Sequence, residues 1–210
     1  MQAFLHQRLQ ALTRLQALSS AVLTKFNRLD LDLAAALSSF LDEAVQTYRA
    51  LNQAGAENRL LALQAQTVSA AHGTHPDTLA QVASHRRALL RAVALRVLQQ
   101  SAEQVRTDIE RDQRALDEAR TQLRPMLLAA YQHGLLALRQ RKPYSAAQLD
   151  KLWLAMVAHP ELQLAARQLA LRTSVHDLLL LLAELVDAAR ASLPAKPAKP
   201  ARRRAGSAAP

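Results

Sequence analysis

The chain has no cysteine and only four glycines, and aromatic residues make up 3% of its 210 positions. Without cysteine there is no disulfide framework, no thiol nucleophile and no thiolate metal or iron–sulfur site. Scarce glycine leaves little material for β-turns, and β-branched runs are missing, so no strand is expected. Proline is confined: residues 2–72 have none, and residues 77–142 have only Pro125. The longest apolar run, Leu178 to Ala183, is bounded by Asp177 and Glu184, far short of the roughly 18 residues that span a bilayer. The first residues, Met1 to Arg8, are polar at every third or fourth place and lack the continuous apolar stretch of a secretory signal. The expected location is the cytoplasm, and a membrane is not an expected partner.

What is present favours helix. Half of the chain is hydrophobic, chiefly Leu and Ala, and Ala, Leu, Gln, Arg and Glu lose little rotamer freedom in a helix. The expected fold is all-α. Two arms flank Gly73-Thr74-His75-Pro76 and predict a long antiparallel helical hairpin, a coiled-coil stem, over residues 1–142. Leu5, Leu12, Phe26, Leu33 and Phe40 recur at multiples of seven, with Leu15, Val22, Leu29 and Ala36 three residues after matching positions; Ser19 is the weak layer. Leu9, Leu23, Leu37 and Ala44 widen this stripe, which predicts more than one partner helix over part of its length. In the second arm Leu98, Ala102, Val105, Ile109, Leu116, Ala119, Leu123, Met126 and Ala130 form a seam with Asp112 as its polar layer. A turn centred near Thr74 places residues 103–124 beside 24–45. Bends are expected at Gly55 and at Pro125, which lacks a backbone donor.

Short helices over residues 143–193 are expected to pack on the hairpin base as a small bundle. Ser145 and Gln148 form a capping box for a helix to about Ala158. Pro160 opens the next helix, to about Arg172, and Thr173 or Ser174 caps the last. From Pro194 to Pro210 the composition turns to Pro, Ala, Lys and Arg, which cannot bury a core, so this tail is expected to be disordered.

The formal charge is +10, divided between the second arm and the tail, and Arg outnumbers Lys. Lys196, Lys199, Arg202, Arg203 and Arg204 make the tail a flexible polycation. It resembles the Lys/Ala/Pro tails of linker-histone-like bacterial proteins and of some storage-granule-associated proteins. That resemblance implies contact with nucleic acid or another polyanion. Arg86, Arg87, Arg91 and Arg96 form a second basic cluster, with Arg87 and Arg91 on one helical face, suited to tracking phosphates. No aromatic residue interleaves them, so base stacking is not indicated.

Catalytic constellations are thin. His72, His75 and His85 fall near the turn, with only Asp77 as a further ligand, so exposed loop histidines are expected and no metal site. Ser174, His176 and Asp177 lie too close along one turn to aim a nucleophile, and Asp177 is expected to assist a helix N-terminus. Asp112 is expected to fix register, paired with an arginine. No phosphate-cradling glycine loop or nucleophile-elbow motif occurs. The expectation is a non-enzymatic scaffold or adaptor without a cofactor, acting through coiled-coil contacts with a protein partner or a second copy. Leu60, Leu63, Leu89, Leu90 and Val93 are the expected contact stripe. The alternative is a nucleic-acid-associated protein using the tail and the arginine face; the third reading is a coat on a granule or lipid surface.

Overall fold

A computed structural model of the chain describes residues 4–82, 84–138 and 143–192. Among them are seven α-helices: α1 (Leu5–Arg28), α2 (Leu33–Ala50), α3 (Ala54–Ala71), α4 (Arg86–Gln132), α5 (Ala146–Ala158), α6 (Gln163–Arg172) and α7 (Val175–Ala191). No β-strand occurs among the described residues, only an isolated bridge between Thr74 and Gln81. The all-α class stands, as does the pairing of a long second arm with the first. At 47 residues, α4 is about 70 Å long, and it runs through Pro125 without a break. The expected tail lies outside the described residues.

The first arm is not one rod. It folds back at residues 29–32 and again at 51–53. Neither break uses proline or glycine. At the first, Leu29 takes φ 64°, its N–H donates to Phe26 O, and the Asp30 N–H donates to Lys25 O. At the second, Asn52 takes φ 55°, with the matching bonds Asn52 N–H to Arg49 O and Gln53 N–H to Tyr48 O. Gly73 (φ 79°) ends α3 and Gly134 (φ 75°) ends α4 with the same pair of bonds. This is the left-handed C-terminal cap, in which glycine or asparagine is the usual residue. At Leu29 a leucine stands there, at a cost of about 1 kcal/mol relative to glycine. The bend expected at Gly55 falls three residues earlier, at Asn52, because asparagine tolerates the left-handed region and Gly55 already lies in the first turn of α3.

Folded this way, α1, α2, α3 and the first half of α4 make an up-down-up-down bundle. Neighbouring helices are antiparallel, and each pair is cross-linked. Arg14 pairs with Glu43 between α1 and α2, and Arg49 with Glu57 between α2 and α3. Between α3 and α4, Arg96 reaches Gln66, and between α4 and α1, Arg8 reaches Asp112. This overturns the expected register. Residues 103–106 line a groove with Gln16–Leu23 rather than lying beside 24–45, and Phe26 sits under Arg91. The wide leucine stripe is the physical reason, since Leu37, Phe40, Leu41, Ala44 and Tyr48 bury against α1, α3 and α4 together, which a two-helix stem cannot provide.

A second apolar core begins at Leu116. Leu116, Leu123, Met126, Leu127 and Ala130 of α4 pack with Leu152, Trp153 and Met156 of α5, Leu169 of α6, and Leu178, Leu181, Leu182 and Val186 of α7. The capping box at Ser145 and Gln148 is present, and the Ser174 side chain accepts from the Asp177 N–H at the start of α7. Leu5 and Leu9 of α1 also touch this second core, so α1 and α4 both cross from one bundle into the other.

Candidate functional site

Between the two cores lies a layer of charge. Asp108 and Asp112, on α4, are both 2% exposed. Arg8 of α1 grips Asp112 with two donors, Nε to Oδ2 at 2.8 Å and Nη2 to Oδ1 at 3.0 Å. Arg111 bridges both carboxylates, Nη1 to Asp108 Oδ1 at 2.8 Å and Nε to Asp112 Oδ1 at 3.2 Å. From α2, the buried Tyr48 hydroxyl donates to Asp108 Oδ2 at 2.8 Å, and Gln104 Nε2 donates to the same atom at 2.7 Å. Burial first, and then the bond to Asp108, push the Tyr48 hydroxyl far above its ordinary pKa. It keeps its proton at any physiological pH and serves as a donor. The arginine partner expected for Asp112 is Arg8, and sequence periodicity alone did not identify it. Tyr48 was missed as well: its place in the last turn of the second helix gives no signal without the fold-back.

A groove of about 980 Å³ opens beside this layer, between α3 and α4. Leu60 and Leu63 make its floor, and Gln66, Gln99, Gln100 and Gln104 line it, with Asp108 and Arg111 at one end. Glutamine amides with an apolar floor offer hydrogen bonds and contact area, and no group here combines a nucleophile with a base.

A third buried carboxylate, Asp177, belongs to α7 and caps α1. The backbone N–H groups of Leu5 and His6 donate to Oδ2 and Oδ1 at 2.9 and 3.1 Å. His6 Nδ1 lies 2.7 Å from Oδ1, and Ser174 Oγ donates to Oδ2 at 2.6 Å. Burial alone pushes this carboxyl up, but the bonds from Ser174, His6 and the two backbone groups outweigh it and hold the group below the usual aspartate range. Serine, histidine and aspartate meet here, but the carboxylate sits in the middle and both others point at it. A nucleophilic triad needs the histidine between the other two. His176, the histidine weighed in the sequence, stacks instead on Phe4 at 4.5 Å between ring centroids. His6 carried no sequence signal, because its partner is 171 positions away.

The expected phosphate-contacting arginines are largely engaged within the fold. Arg86 donates to the Ala71 carbonyl at the end of α3, and Arg91 lies 5.3 Å over the Phe26 ring. Arg96 binds Asp77 at 2.8 Å and Gln66 at 3.2 Å, and the Arg96 bond holds the Asp77 carboxyl below its ordinary pKa. Arg87 is exposed. Lys196, Lys199, Arg202, Arg203 and Arg204 lie outside the described residues. The expected partner stripe is largely covered by the fold. Leu60, Leu63 and Val93 are 1%, 8% and 4% exposed and belong to the first core, with Leu89 and Leu90 partly buried against it. The fold-back of α2 and α3 covers a face that an open hairpin would leave bare.

Among the described residues, no group of three His, Asp or Glu side chains is arranged to hold a metal ion, and no helix is long and apolar enough to cross a membrane. No protein-family model matches this chain, and neither comparison with curated proteins nor comparison with solved structures gave a match.

Proposed function

We propose that the protein is a non-enzymatic helical scaffold that binds a partner helix along the α3–α4 groove. The observation that carries this reading is α4 itself, one helix shared by two packed cores, with a long amide-lined groove on the side of the first. A helix built into two cores cannot tilt in one without disturbing the other, so it holds a bound partner at a set orientation to the second bundle. The buried carboxylates support the same reading, because Asp108, Asp112 and Asp177 each have their oxygens taken up by donors that join helices. An amphipathic partner would set a small apolar edge on the exposed Ala62 and meet Gln66, Gln99, Gln100 and Gln104 with its polar flanks. A second copy of this chain is one such partner.

The test is capture from nuclease-treated lysate with the full chain and with Ala62→Trp. Ala62 is exposed on the groove wall, so the indole fills the groove without entering a core. Retention of a protein partner by the native chain and its loss with A62W is the expected result, with light scattering reporting whether that partner is a second copy. Capture that disappears with nuclease, or that A62W leaves unchanged, removes this proposal and favours the tail-borne nucleic-acid reading.

A further inference from the structure

One end of the first bundle gathers the α1–α2 turn and the loop from α3 to α4, because successive helices are antiparallel. This end displays three leucines to solvent: Leu29 at 60%, Leu31 at 97% and Leu79 at 75% exposure. Two of them are held in the left-handed region, Leu29 at φ 64° and Leu79 at φ 56°. The loop that carries Leu79 is tied down. The His75 N–H donates to Ala80 O, the Leu79 N–H to His75 O and the Val82 N–H to Gly73 O, at 2.9, 2.8 and 2.8 Å. Asp77 is anchored to Arg96 on α4. Three other helices end in the same cap as α1 with Asn52, Gly73 or Gly134 in the strained position. Among the described helix ends, only that of α1 puts a large apolar side chain there, and it is exposed. Strain combined with exposed apolar area is costly in water and leads from geometry to a binding role.

The surroundings are cationic. Lys25 is neutralised by Asp32 and Arg96 by Asp77. Arg28, Arg86, Arg87 and Arg91 then stand against Asp30 as the remaining acid of the two connections and their flanking turns. Arg86 and Arg91 touch Ala71 O and the Phe26 ring, which are uncharged. Leucines at the extremity with guanidinium groups one or two turns behind match a lipid surface, with its apolar interior below an anionic headgroup layer.

We propose that this end of the first bundle docks on an anionic lipid surface. Leu29, Leu31 and Leu79 enter the headgroup–acyl boundary, and Arg28, Arg86, Arg87 and Arg91 meet lipid phosphates. The bundle stays closed, which separates this mode from a coat formed by unfolding a hairpin. It uses neither the α3–α4 groove nor the tail.

Flotation of the full chain with phosphatidylcholine vesicles, with and without phosphatidylserine, tests it. Leu31→Asp/Leu79→Asp is the main variant; both positions are exposed, so the fold is retained, and circular dichroism checks this. The native chain is expected to float only with phosphatidylserine, and the double variant to bind about tenfold or more weakly. Leu29→Gly is expected to weaken flotation while raising the thermal midpoint, since glycine relieves the strained cap. Equal flotation of the native chain and the double variant overturns the proposal, because the tail, common to both, is then sufficient. Absence of native flotation also overturns it, as does a lipid-free dimer that the double variant dissolves, which makes this end an interface between copies.

Discussion

The two cores along α4 solve the same packing problem differently. The first is built from long helices whose buried residues are mostly Leu, Ala and Val, and it ends in the Arg8–Asp112–Arg111–Asp108–Tyr48 layer. The second uses shorter helices around Trp153 and Met156, and its one buried carboxylate, Asp177, sits at the edge against α1. Repeated Leu and Ala seams are nearly alike from turn to turn, so sliding by one turn costs little packing. A charged layer that is satisfied in only one register removes that freedom. Irregular shapes such as an indole and a thioether, together with two capped helix starts, do the same work in the second core without a charged layer across it.

The largest expected effect comes from opening that layer. Asp112→Ala leaves the Arg8 guanidinium, which is 13% exposed, without its partner, and urea denaturation should show a loss of about 3–5 kcal/mol. Replacing both, Arg8→Leu with Asp112→Leu, should recover most of the stability. The double variant should broaden amide resonances of α1 and α4 as register loosens; sharp, unshifted spectra would show that packing alone sets register.

Asp177→Ala removes the cap on α1 and a bond to Ser174, with an expected cost of about 2 kcal/mol. The sign of its pH dependence follows from the depressed folded value. Its stabilisation is complete above the unfolded aspartate value, about 3.9, and is lost as pH falls through the lower folded value. Asp177→Asn should flatten that acid limb; an unchanged limb would assign the acid sensitivity to other carboxylates.

Pro125→Ala restores a donor inside α4 at an exposed position and should stabilise by about 1–2 kcal/mol, sharpening the view that α4 is under no functional demand to bend. The smallest effect is expected on the surface of the first bundle. Arg106→Ala breaks exposed pairs to Glu103 and Glu110 and should leave the unfolding midpoint unchanged within error, because such pairs are screened by water and salt.

Much of this architecture is written locally. The seven-residue leucine spacing, the scarce glycine, the lack of β-branched runs, the Ser145–Gln148 box and the Ser174 cap specify helices and the starts of α5 and α7, whereas α6 starts at Gln163, three residues after Pro160. Those signals act within a turn or two, where side-chain entropy and capping bonds decide. The tertiary structure decided the rest. A helix break at Leu29 or Asn52 costs only about 1 kcal/mol, less than the packing gained when α2 and α3 fold onto α1 and α4. The fold-back then fixed that Arg8 meets Asp112 and that Asp177 caps a helix 171 positions away. Likewise Leu60, Leu63 and Val93 face inward, because burial depends on which helices become neighbours, and no local pattern encodes that.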